Sequence, residues 1–485
     1  MDSPRLQKIR QLRLLKEKIR RKAETDFYTF FVYYAWPELL PGTEYVDNWH
    51  VHAICDHMQA VTAGQIKRLL INMPFRMLKS TIISQAFPAW EWIRYPHLQY
   101  LTASYSRDVA TRDAVDSRRI IESKRYSEAW GHVFKLTGDQ NVKTRYENDR
   151  RGSRIITSTE SAGTGFGGNR VMIDDPVSAR QASSPAAIAA STDWYKGTAA
   201  TRLNNPEGDA LVAVHQRLDV NDLTGFILKT EADGWDHLIL PMRFDPELRK
   251  TTSIGFTDPR TQPGELLSPQ RLGEKAVREM EKRLGSYHTA AQLQQNPQAR
   301  AGGMFKRDWF PVIKEIPLGT KFVRGWDLAS TEDGGDYTAG VKVGRQKNGR
   351  FVIADARRAQ YSAAKVETLI TNTASQDGYS TKISLPQDPG QAGKVQAGYL
   401  VGKLAGYNVT ATPESGSKIT RAEPFAAQAE AGNVDILEGA WNSAYFDELE
   451  IFGNDAGNDD QVDATTRAFN SLLTTNALSV WEKLG

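Results

Sequence analysis

Cysteine is nearly absent from the sequence, since Cys55 is the one cysteine in 485 residues. A single cysteine excludes an internal disulfide framework and fits a protein that works in a reducing cytoplasm. No apolar run approaches the ~20 residues that a membrane span needs, and no secretory apolar segment follows Met1. The sequence therefore argues against a disulfide-rich secreted protein and against an integral membrane protein.

A large excess of positive charge is also absent, because the formal net charge is only +3. A strongly basic coat for binding nucleic acid is therefore excluded. The charge is uneven, however: nine Lys or Arg and the single acid Glu17 lie between residues 5 and 22. Leu and Ile among them predict a ragged helix, which either contacts nucleic acid or a partner protein or is a solvated helix that docks only locally. At this length we expect two or three domains.

Residues 69–81 have the order of a phosphate-binding P-loop. Apolar residues 69–71 predict a strand, a loop follows, and residues 82–93 predict a helix. The polar residues that close the loop are Lys79, Ser80 and Thr81. In a P-loop the lysine reaches the outer phosphates, the hydroxyl holds Mg²⁺ and the helix N-terminus faces the anion.

Two glycines of the usual P-loop pattern are missing, because Met73 and Leu78 stand in their places. Glycine before the lysine lets the backbone approach a phosphate without a Cβ in the way. If Leu78 has a positive φ, its backbone conformation costs on the order of 1 kcal/mol. The sequence predicts a working nucleotide site that is weak or depends on a partner.

A pair of acids downstream supports the P-loop interpretation. Apolar residues 171–173 predict a strand that ends in Asp174 and Asp175, after a glycine-rich loop at residues 161–168. One carboxylate at such a position orients the hydration shell of Mg²⁺, and its neighbour polarises the attacking water. Alone, the pair is equally typical of a strand that leads into a turn. Its place after a Lys-Ser loop favours the catalytic interpretation.

A further buried strand is predicted at residues 209–217, with Gln216 and Arg217 at its tip. Strands that alternate with helices favour a parallel α/β sheet, in which ligands bind at the carboxyl ends of the strands. The lysine loop, the acid pair and this tip all fall at such ends. Residues 245–263 are poor in pattern, as a linker is, and Ser268 with Pro269 then predicts the N-cap and first turn of a charged helix. We assign residues 246–305 to a linker subdomain.

The C-terminal part begins again with strands near residue 306 and carries acids at three points. Asp327 ends the first predicted strand, Asp388 ends the fourth, and Asp460 and Asp463 share one face of a late helix. Three strands, a helix, a strand and a late helix match an RNase H-like nuclease. Such a nuclease gathers carboxylates around two Mg²⁺ or Mn²⁺ ions. The alternative is that Asp460 and its neighbour Asp459 only cap the helix.

In their order along the chain, these motifs resemble the large subunit of a tailed-phage terminase. The matching segments are residues 72–81, 171–176, 216–225, 264–269, 292–297, 324–329, 416–424 and 459–464. Each is unspecific alone, whereas the ordered set is specific. The resemblance implies an α/β chain with an N-terminal P-loop ATPase domain of the ASCE type and a C-terminal RNase H-like nuclease domain. The predicted division is 1–45 basic and aromatic helical segment, 46–245 ATPase, 246–305 linker subdomain and 306–485 nuclease.

The resemblance also implies a role for each candidate residue. In the ATPase site these are Lys79 and Thr81 on the ATP phosphates, Ser80 on Mg²⁺, Arg76 on the γ-phosphate in cis, Asp174 as the Walker B acid, Asp175 as the catalytic acid, and Gln216 with Arg217 as the coupling motif. In the nuclease site they are Asp327, Asp388 and Asp463 as metal ligands and Asp460 as a fourth. Lys418 and Arg421 contact the DNA backbone or are ordinary solvated charges.

The activity implied is ATP-driven packaging of viral double-stranded DNA into procapsids, with metal-dependent cutting of concatemeric DNA. The partners implied are a small terminase subunit, the portal ring and further copies of the chain. The location implied is the cytoplasm of an infected bacterium, not the mature virion or a membrane. Two alternatives stay open: a translocase or helicase without nuclease activity, and a resolvase-like nuclease whose P-loop domain serves only for docking.

Overall fold

The chain folds into two compact units, Met1–Arg278 with Tyr287–Ala299 and Glu279–Ser286 with Arg300–Gly485. The computed structural model describes residues 4–161, 165–298, 303–329, 336–388, 390–414, 416–453 and 458–481. Part of the predicted glycine-rich loop (162–164) and part of the predicted domain boundary (299–302) lie outside the described residues. No helix among the described residues combines the length and the apolarity that a membrane crossing requires.

The first unit contains an eight-stranded sheet in the order β3-β4-β5-β2-β6-β7-β1-β8. Its strands are β1 (Arg68–Asn72), β2 (Gln99–Ser104), β3 (Leu136–Val142), β4 (Arg145–Asn148), β5 (Ser153–Ser158), β6 (Arg170–Asp174), β7 (Ala210–His215) and β8 (Asp236–Ile239). All neighbours pair in parallel except β3–β4 and β4–β5. Strands β2 and β5–β7 are almost wholly buried, as in a parallel sheet covered on both faces.

The helices of the first unit are α1 (Pro4–Ala23), α2 (Phe27–Phe30), α3 (Trp36–Leu39), α4 (Trp49–Thr62), α5 (Phe87–Arg94), α6 (Arg107–Glu122), α7 (Lys124–Trp130), α8 (Pro185–Gly197) and α9 (Leu223–Thr230). The residues of α10 (Glu274–His288) are divided between the two units. Three π-helical stretches are Phe31–Ala35, Thr81–Ala86 and Thr289–Leu293, and short 3₁₀ turns are Gln181–Ser183, Ala199–Thr201, Ala232–Gly234 and Pro246–Leu248.

The start of helix α10 differs from the sequence prediction. Ser268 and Pro269 predict an N-cap and a first turn, but α10 begins only at Glu274, and its backbone is interrupted at Gly285 (φ 70°, ψ 172°). Residues 268–272 form an isolated turn, in which the Leu272 amide donates to the Ser268 carbonyl at 2.9 Å. Gly273 separates this turn from α10, because glycine propagates a helix poorly.

The second unit contains a seven-stranded mixed sheet in the order β14-β13-β10-β11-β12-β15-β9. Its strands are β9 (Val312–Ile313), β10 (Lys321–Asp327), β11 (Thr338–Arg345), β12 (Phe351–Ala359), β13 (Lys382–Pro386), β14 (Val409–Thr412) and β15 (Val434–Leu437). Its helices are α11 (Ala363–Asp377), α12 (Gln391–Lys403), α13 (Lys418–Glu430), α14 (Asn442–Ile451) and α15 (Asp460–Trp481), with a 3₁₀ turn at Arg307–Trp309. Strands β10–β12 form the predicted antiparallel meander, and β13 pairs in parallel with β10.

Helix α15 packs directly on β10 at Gly325. A Cβ on Gly325 would lie 2.2 Å from the Ala464 carbonyl oxygen and 2.7 Å from the Ala468 amide nitrogen. This close approach brings the first turn of α15, with Asp460 and Asp463, towards the end of β10 at Asp327. The glycine therefore sets the distance between the two elements that carry three of the candidate acids.

Gly325→Ala is expected to destabilise the second unit by about 1–3 kcal/mol, because α15 must move to make room for the methyl group. Faster hydrogen–deuterium exchange of α15 amides, read by mass spectrometry, measures this change. The matched control is Gly398→Ala on the exposed face of α12, where an added Cβ meets nothing within 4 Å. Exchange of α15 that is unchanged in Gly325→Ala would contradict the argument.

The N-terminus of α15 is capped by Glu448 of α14. The Gln461 and Val462 amides donate to Glu448 Oε1 at 2.5 and 3.3 Å, and Gln461 Nε2 donates to Oε2 at 2.6 Å. Such an acceptor satisfies amides that have no partner within the helix. Burial raises the pKa of Glu448 to about 7, against the hydrogen bonds from Gln461 and with the charge of Asp460 adding to the rise.

A pKa raised above the ordinary value means that the folded state binds the proton more tightly than the unfolded state. The stability that Glu448 contributes is complete below about pH 4.5 and is lost as pH rises through about 7. Between about pH 5 and 7.5 the α15 amides of the parent are expected to lose protection from hydrogen exchange. In Glu448→Gln this loss is expected to be smaller by on the order of 2 kcal/mol. Hydrogen exchange corrected for intrinsic rates measures it, with exposed Glu450→Gln as control. An identical pH dependence in parent and Glu448→Gln would refute the assignment.

Candidate functional sites

The candidate residues of the first unit come from three neighbouring parallel strands. The loop with Lys79 follows β1, the acid pair ends β6, and Gln216 follows β7, which lies between the other two. In the register of the sheet, Asp174 lies opposite Val214, and Asn72 lies opposite His215. All three loops therefore meet at one edge of the sheet.

Lys79 and Asp175 form the central contact at this edge. Lys79 Nζ lies 2.9 Å from Asp175 Oδ2, and the lysine is buried. Burial opposes the charged form of Lys79, but the charges of Asp175 and Asp174 outweigh burial and raise its pKa. The lysine is thus held as a cation, with its charge turned to the acids.

Asp174 is the more deeply buried acid of the pair. Ser84 Oγ donates to its Oδ2 at 2.6 Å, whereas Oδ1 is buried and has no hydrogen-bond partner among the described residues. Burial raises the pKa of Asp174 to about 7, and the charges of Asp175 and Asp113 add to the rise. A buried carboxylate oxygen that accepts no hydrogen bond fits the hydration shell of a divalent cation. The hydroxyl of Ser80, half-buried at the start of the following helix, is a second possible oxygen ligand.

The loops at this edge hold non-glycine residues in left-handed backbone conformations. The φ values are 63° for Arg76, 69° for Leu78 and 46° for Asp175. Each such residue costs roughly 1–2 kcal/mol. At Leu78 the burial of the side chain, which has a relative exposure of 9%, compensates for this backbone cost. Burying a leucine side chain contributes about 1.5–3 kcal/mol, which offsets the backbone cost.

Gln216 and Arg217 differ in their surroundings. The Gln216 backbone amide donates to Asp175 Oδ1 at 3.3 Å, and the side-chain Oε1 is buried without a hydrogen-bond partner among the described residues. Arg217 turns instead to Asp222, with Nε at 2.9 and 3.0 Å from the two carboxylate oxygens, and its backbone amide donates to Gln295 at 2.9 Å. Gln216 therefore contacts the acid pair, whereas Arg217 fixes the segment that follows β7.

Other candidates lie around this contact. Arg76 is exposed on the loop, and Thr81 begins the π-helical stretch after it. Sequence reasoning missed two residues, Ser84 and Arg271. Ser84 could have been found from its spacing, since it follows Ser80 by four residues. Arg271 Nε donates to the Arg76 carbonyl at 2.6 Å from 195 residues away, and no local pattern predicts that contact.

In the second unit, Asp327 ends β10, and Asp460 and Asp463 lie in the first turn of α15. Burial raises the pKa of Asp327 to about 7, and the charges of Asp463 and Asp460 add to the rise, against Lys418. The Tyr337 amide donates to Asp460 Oδ2 at 3.1 Å. The structure therefore brings these three acids close enough for their charges to interact.

Lys418 and Arg421 both contact Asp463. Lys418 Nζ lies 3.0 Å from Asp463 Oδ2 and 2.6 Å from Asp459 Oδ1, and Arg421 Nη2 lies 2.8 Å from Asp463 Oδ1. Both cations come from the first turn of α13. In this arrangement they neutralise the acid cluster.

Asp388 is exposed after β13 and lines, with Asp327, a cavity of about 420 Å³. The parallel pairing of β10 and β13 explains why both acids lie at the same edge of the sheet. Within the ranges that the structure describes, no three His, Cys, Asp or Glu lie so that they hold a metal ion. The candidate ligands are all carboxylate oxygens, which fit Mg²⁺ or Mn²⁺. In the structure, however, Asp463 forms ion pairs with Lys418 and Arg421.

Replacing Leu78 separates backbone cost from side-chain burial. Leu78→Gly removes both, so the first unit is expected to lose about 1 kcal/mol of stability. Leu78→Ala keeps the left-handed cost and is expected to lose about 1–2 kcal/mol more than the glycine variant. Hydrogen exchange of β1 and the loop measures both. A glycine variant more stable than the parent would show that backbone strain outweighs burial.

Comparison with known proteins gives one sequence match and a set of structural matches. Residues 324–472 match the family model described as Terminase RNaseH-like domain. No match to a curated protein was found. The large terminase of a thermophilic bacteriophage is similar to the chain in its crystal form 2, with 10% identity, 93% of this chain and 98% of that chain covered, and a TM-score of 0.51. The same terminase in complex with ADP gives 11% identity, coverage of 86% and 98%, and a TM-score of 0.50.

These matches confirm the fold class predicted from the sequence and the resemblance to terminases. The likeness extends over both units, since the match covers 93% of this chain. Residues 324–472 thus match the terminase RNase H-like family model, and the chain as a whole shares the fold of the large terminase of that phage.

Proposed function

We propose that the chain is the large subunit of a tailed-phage terminase, with ATPase activity in residues 46–245 and metal-dependent DNA endonuclease activity in residues 306–485. Residues 246–305 form the linker subdomain, and residues 1–45 a helical N-terminal segment. The observation that carries the proposal is the combination, in one chain, of the Lys79–Asp175 contact at a parallel sheet edge and a terminase RNase H-like domain. One of the similar terminases was solved in complex with ADP.

In the ATPase site, Lys79 leaves Asp175 and binds the outer phosphates of ATP. Asp175 is then free to accept a proton from the attacking water, and the Gln216 backbone amide orients its carboxylate at 3.3 Å. Ser80 and Asp174 are the residues that would hold Mg²⁺, which when bound neutralises the phosphate oxygens. Thr81 completes the loop, and exposed Arg76 reaches the γ-phosphate in cis.

In the nuclease site, the oxygens of Asp327, Asp388, Asp460 and Asp463 are the groups that would hold divalent cations. Two Mg²⁺ or Mn²⁺ ions, when bound, supply the charge that stabilises the attacking water and the leaving 3′ oxygen. With Asp463 on a cation, Lys418 and Arg421 would be available to contact phosphates of the DNA backbone as positioning groups. Glu448 and Gly325 keep α15 against β10 and so keep Asp460 and Asp463 near Asp327.

The partners and the location of the protein are part of the same proposal. The nucleic acid is viral double-stranded DNA, packaged into a procapsid and cut from a concatemer. Coupling of hydrolysis to movement passes from Asp175 through Gln216 to Arg217 and the segment around Gln295. The protein partners are a small terminase subunit, the portal ring and other copies of the chain. The site of action is the cytoplasm of the infected bacterium.

Crossed variants of the two sites test the proposal in one preparation. Lys79→Ala is expected to lower ATP turnover at least about 100-fold, because it removes the positive charge that binds the phosphates. It is expected to leave plasmid cutting intact. Asp327→Asn is expected to do the reverse in Mg²⁺ or Mn²⁺. Turnover is measured by phosphate release with DNA present, and cutting by gel electrophoresis.

Exposed Lys229→Ala and Asp447→Asn are the matched controls, and both are expected to behave as the parent. Equal ATP turnover in parent and Lys79→Ala would reduce the N-terminal domain to a docking module. Equal cutting in parent and Asp327→Asn would remove the nuclease from the proposal and leave a translocase.

A further inference from the structure

The segment that leads from β8 to α10 is held in its path by a buried arginine. Arg260 pairs with Asp258 at 2.7 Å and donates to the carbonyls of Pro241, Met242 and Glu265 at 3.0, 3.3 and 2.9 Å. The Met242 amide in turn donates to the Leu293 carbonyl at 2.8 Å. These bonds give the segment a defined path, which ends in the isolated turn at residues 268–272.

Arg271 extends from this turn to the P-loop. Its Nε donates to the carbonyl oxygen of Arg76 at 2.6 Å. That carbonyl belongs to the peptide between Arg76 and Met77, and it is flanked by the two left-handed residues of the loop, Arg76 and Leu78. A hydrogen bond at this oxygen restricts rotation of the peptide on which the loop conformation depends.

Arg271 differs from Arg217, Arg243 and Arg260 in having no acid partner. Arg217 pairs with Asp222, Arg243 with Glu274 and Arg260 with Asp258. Among the described residues, no carboxylate forms an ion pair with Arg271, although partial loss of hydration lowers its pKa. The one hydrogen bond of its side chain within these residues goes to the P-loop carbonyl, so an ion pair does not explain its placement.

We propose that Arg271 is a positioning residue that holds Arg76 and Leu78 in the left-handed conformation of the nucleotide-binding loop. In a loop with glycines, this conformation needs no support, because glycine adopts positive φ freely. Here the glycine before the lysine is replaced by leucine, and a charge-assisted hydrogen bond from outside the loop supplies the restraint. The inference rests on the proposed ATPase function, since it concerns the affinity of that site for ATP.

The test uses the full chain and ATP with Mg²⁺, titrated by isothermal calorimetry. Arg271→Met is expected to weaken ATP binding about fivefold, and Arg271→Lys, which keeps a charged donor, to restore affinity to within about twofold. The decisive comparison is made in two backgrounds that both lack the Arg76 side chain. In Arg76→Ala, which keeps the cost of positive φ, the effect of Arg271→Met stays about fivefold. In Arg76→Gly, which removes that cost, it falls below twofold.

The matched control is Arg278→Met, an exposed arginine of α10 that pairs with Glu274 and is expected to bind ATP as the parent does. Thermal melts identify variants that fail to fold, and Arg271→Gln then replaces Arg271→Met. Parental affinity in Arg271→Met, or equal losses in the Arg76→Ala and Arg76→Gly backgrounds, overturns the inference while the ATPase function stands. Absence of ATP binding by the parent overturns the proposed function itself.

Discussion

The ion pair between Lys79 and Asp175 is the contact on which the first unit depends. A buried ammonium is stable only with an acid partner, and removing one member of such a pair typically costs about 3–5 kcal/mol. The pair joins the loop after β1 to the end of β6 across the strand between them. The parallel order of β6, β7 and β1 therefore has a chemical reason as well as a packing reason.

The second unit meets the same physical constraint with different elements. Its acids are gathered by a helix that packs on a strand, with Gly325 setting the distance and Glu448 capping the helix. Their mutual repulsion is relieved by Lys418 and Arg421 rather than by a loop lysine. In each unit a cation of the protein itself lies on an acid of the proposed site, Lys79 on Asp175 in the first unit and Lys418 with Arg421 on Asp463 in the second. Under the proposed function, ligand binding at either site breaks such an ion pair.

Much of this arrangement could be predicted from the sequence, because apolar runs that end in polar residues mark the carboxyl ends of parallel strands. Strands β1, β6, β7 and β10 were predictable in this way, together with the acids at their ends. The hairpin of β3 and β4 was not, since residues 136–142 lack a regular alternation of polar and apolar side chains. The roles of the individual acids stay predictions until the variants are measured.

Contacts between distant residues lie beyond this kind of reasoning. The missing glycine at Leu78 was visible in the sequence, but the burial of its side chain was not. Lys418 and Arg421 were predicted to contact DNA or solvent, and only the fold places them on Asp463. In each case the sequence showed which residue type was present, and the packing of other elements decided what that residue touches.

The π-helical stretch Thr81–Ala86 constrains the number of residues between the P-loop and α5. A π-helix holds one residue more than an α-helix in the same turn, and one residue corresponds to about 100° of rotation in an α-helix. With that extra residue, Ser84 lies on Asp174 while Trp90 and Trp92 of α5 face the core. Without it, the helix can satisfy the acid or the core but not both. Natural variation among near relatives of this chain is therefore expected to change side chains within the stretch and to keep its number of residues.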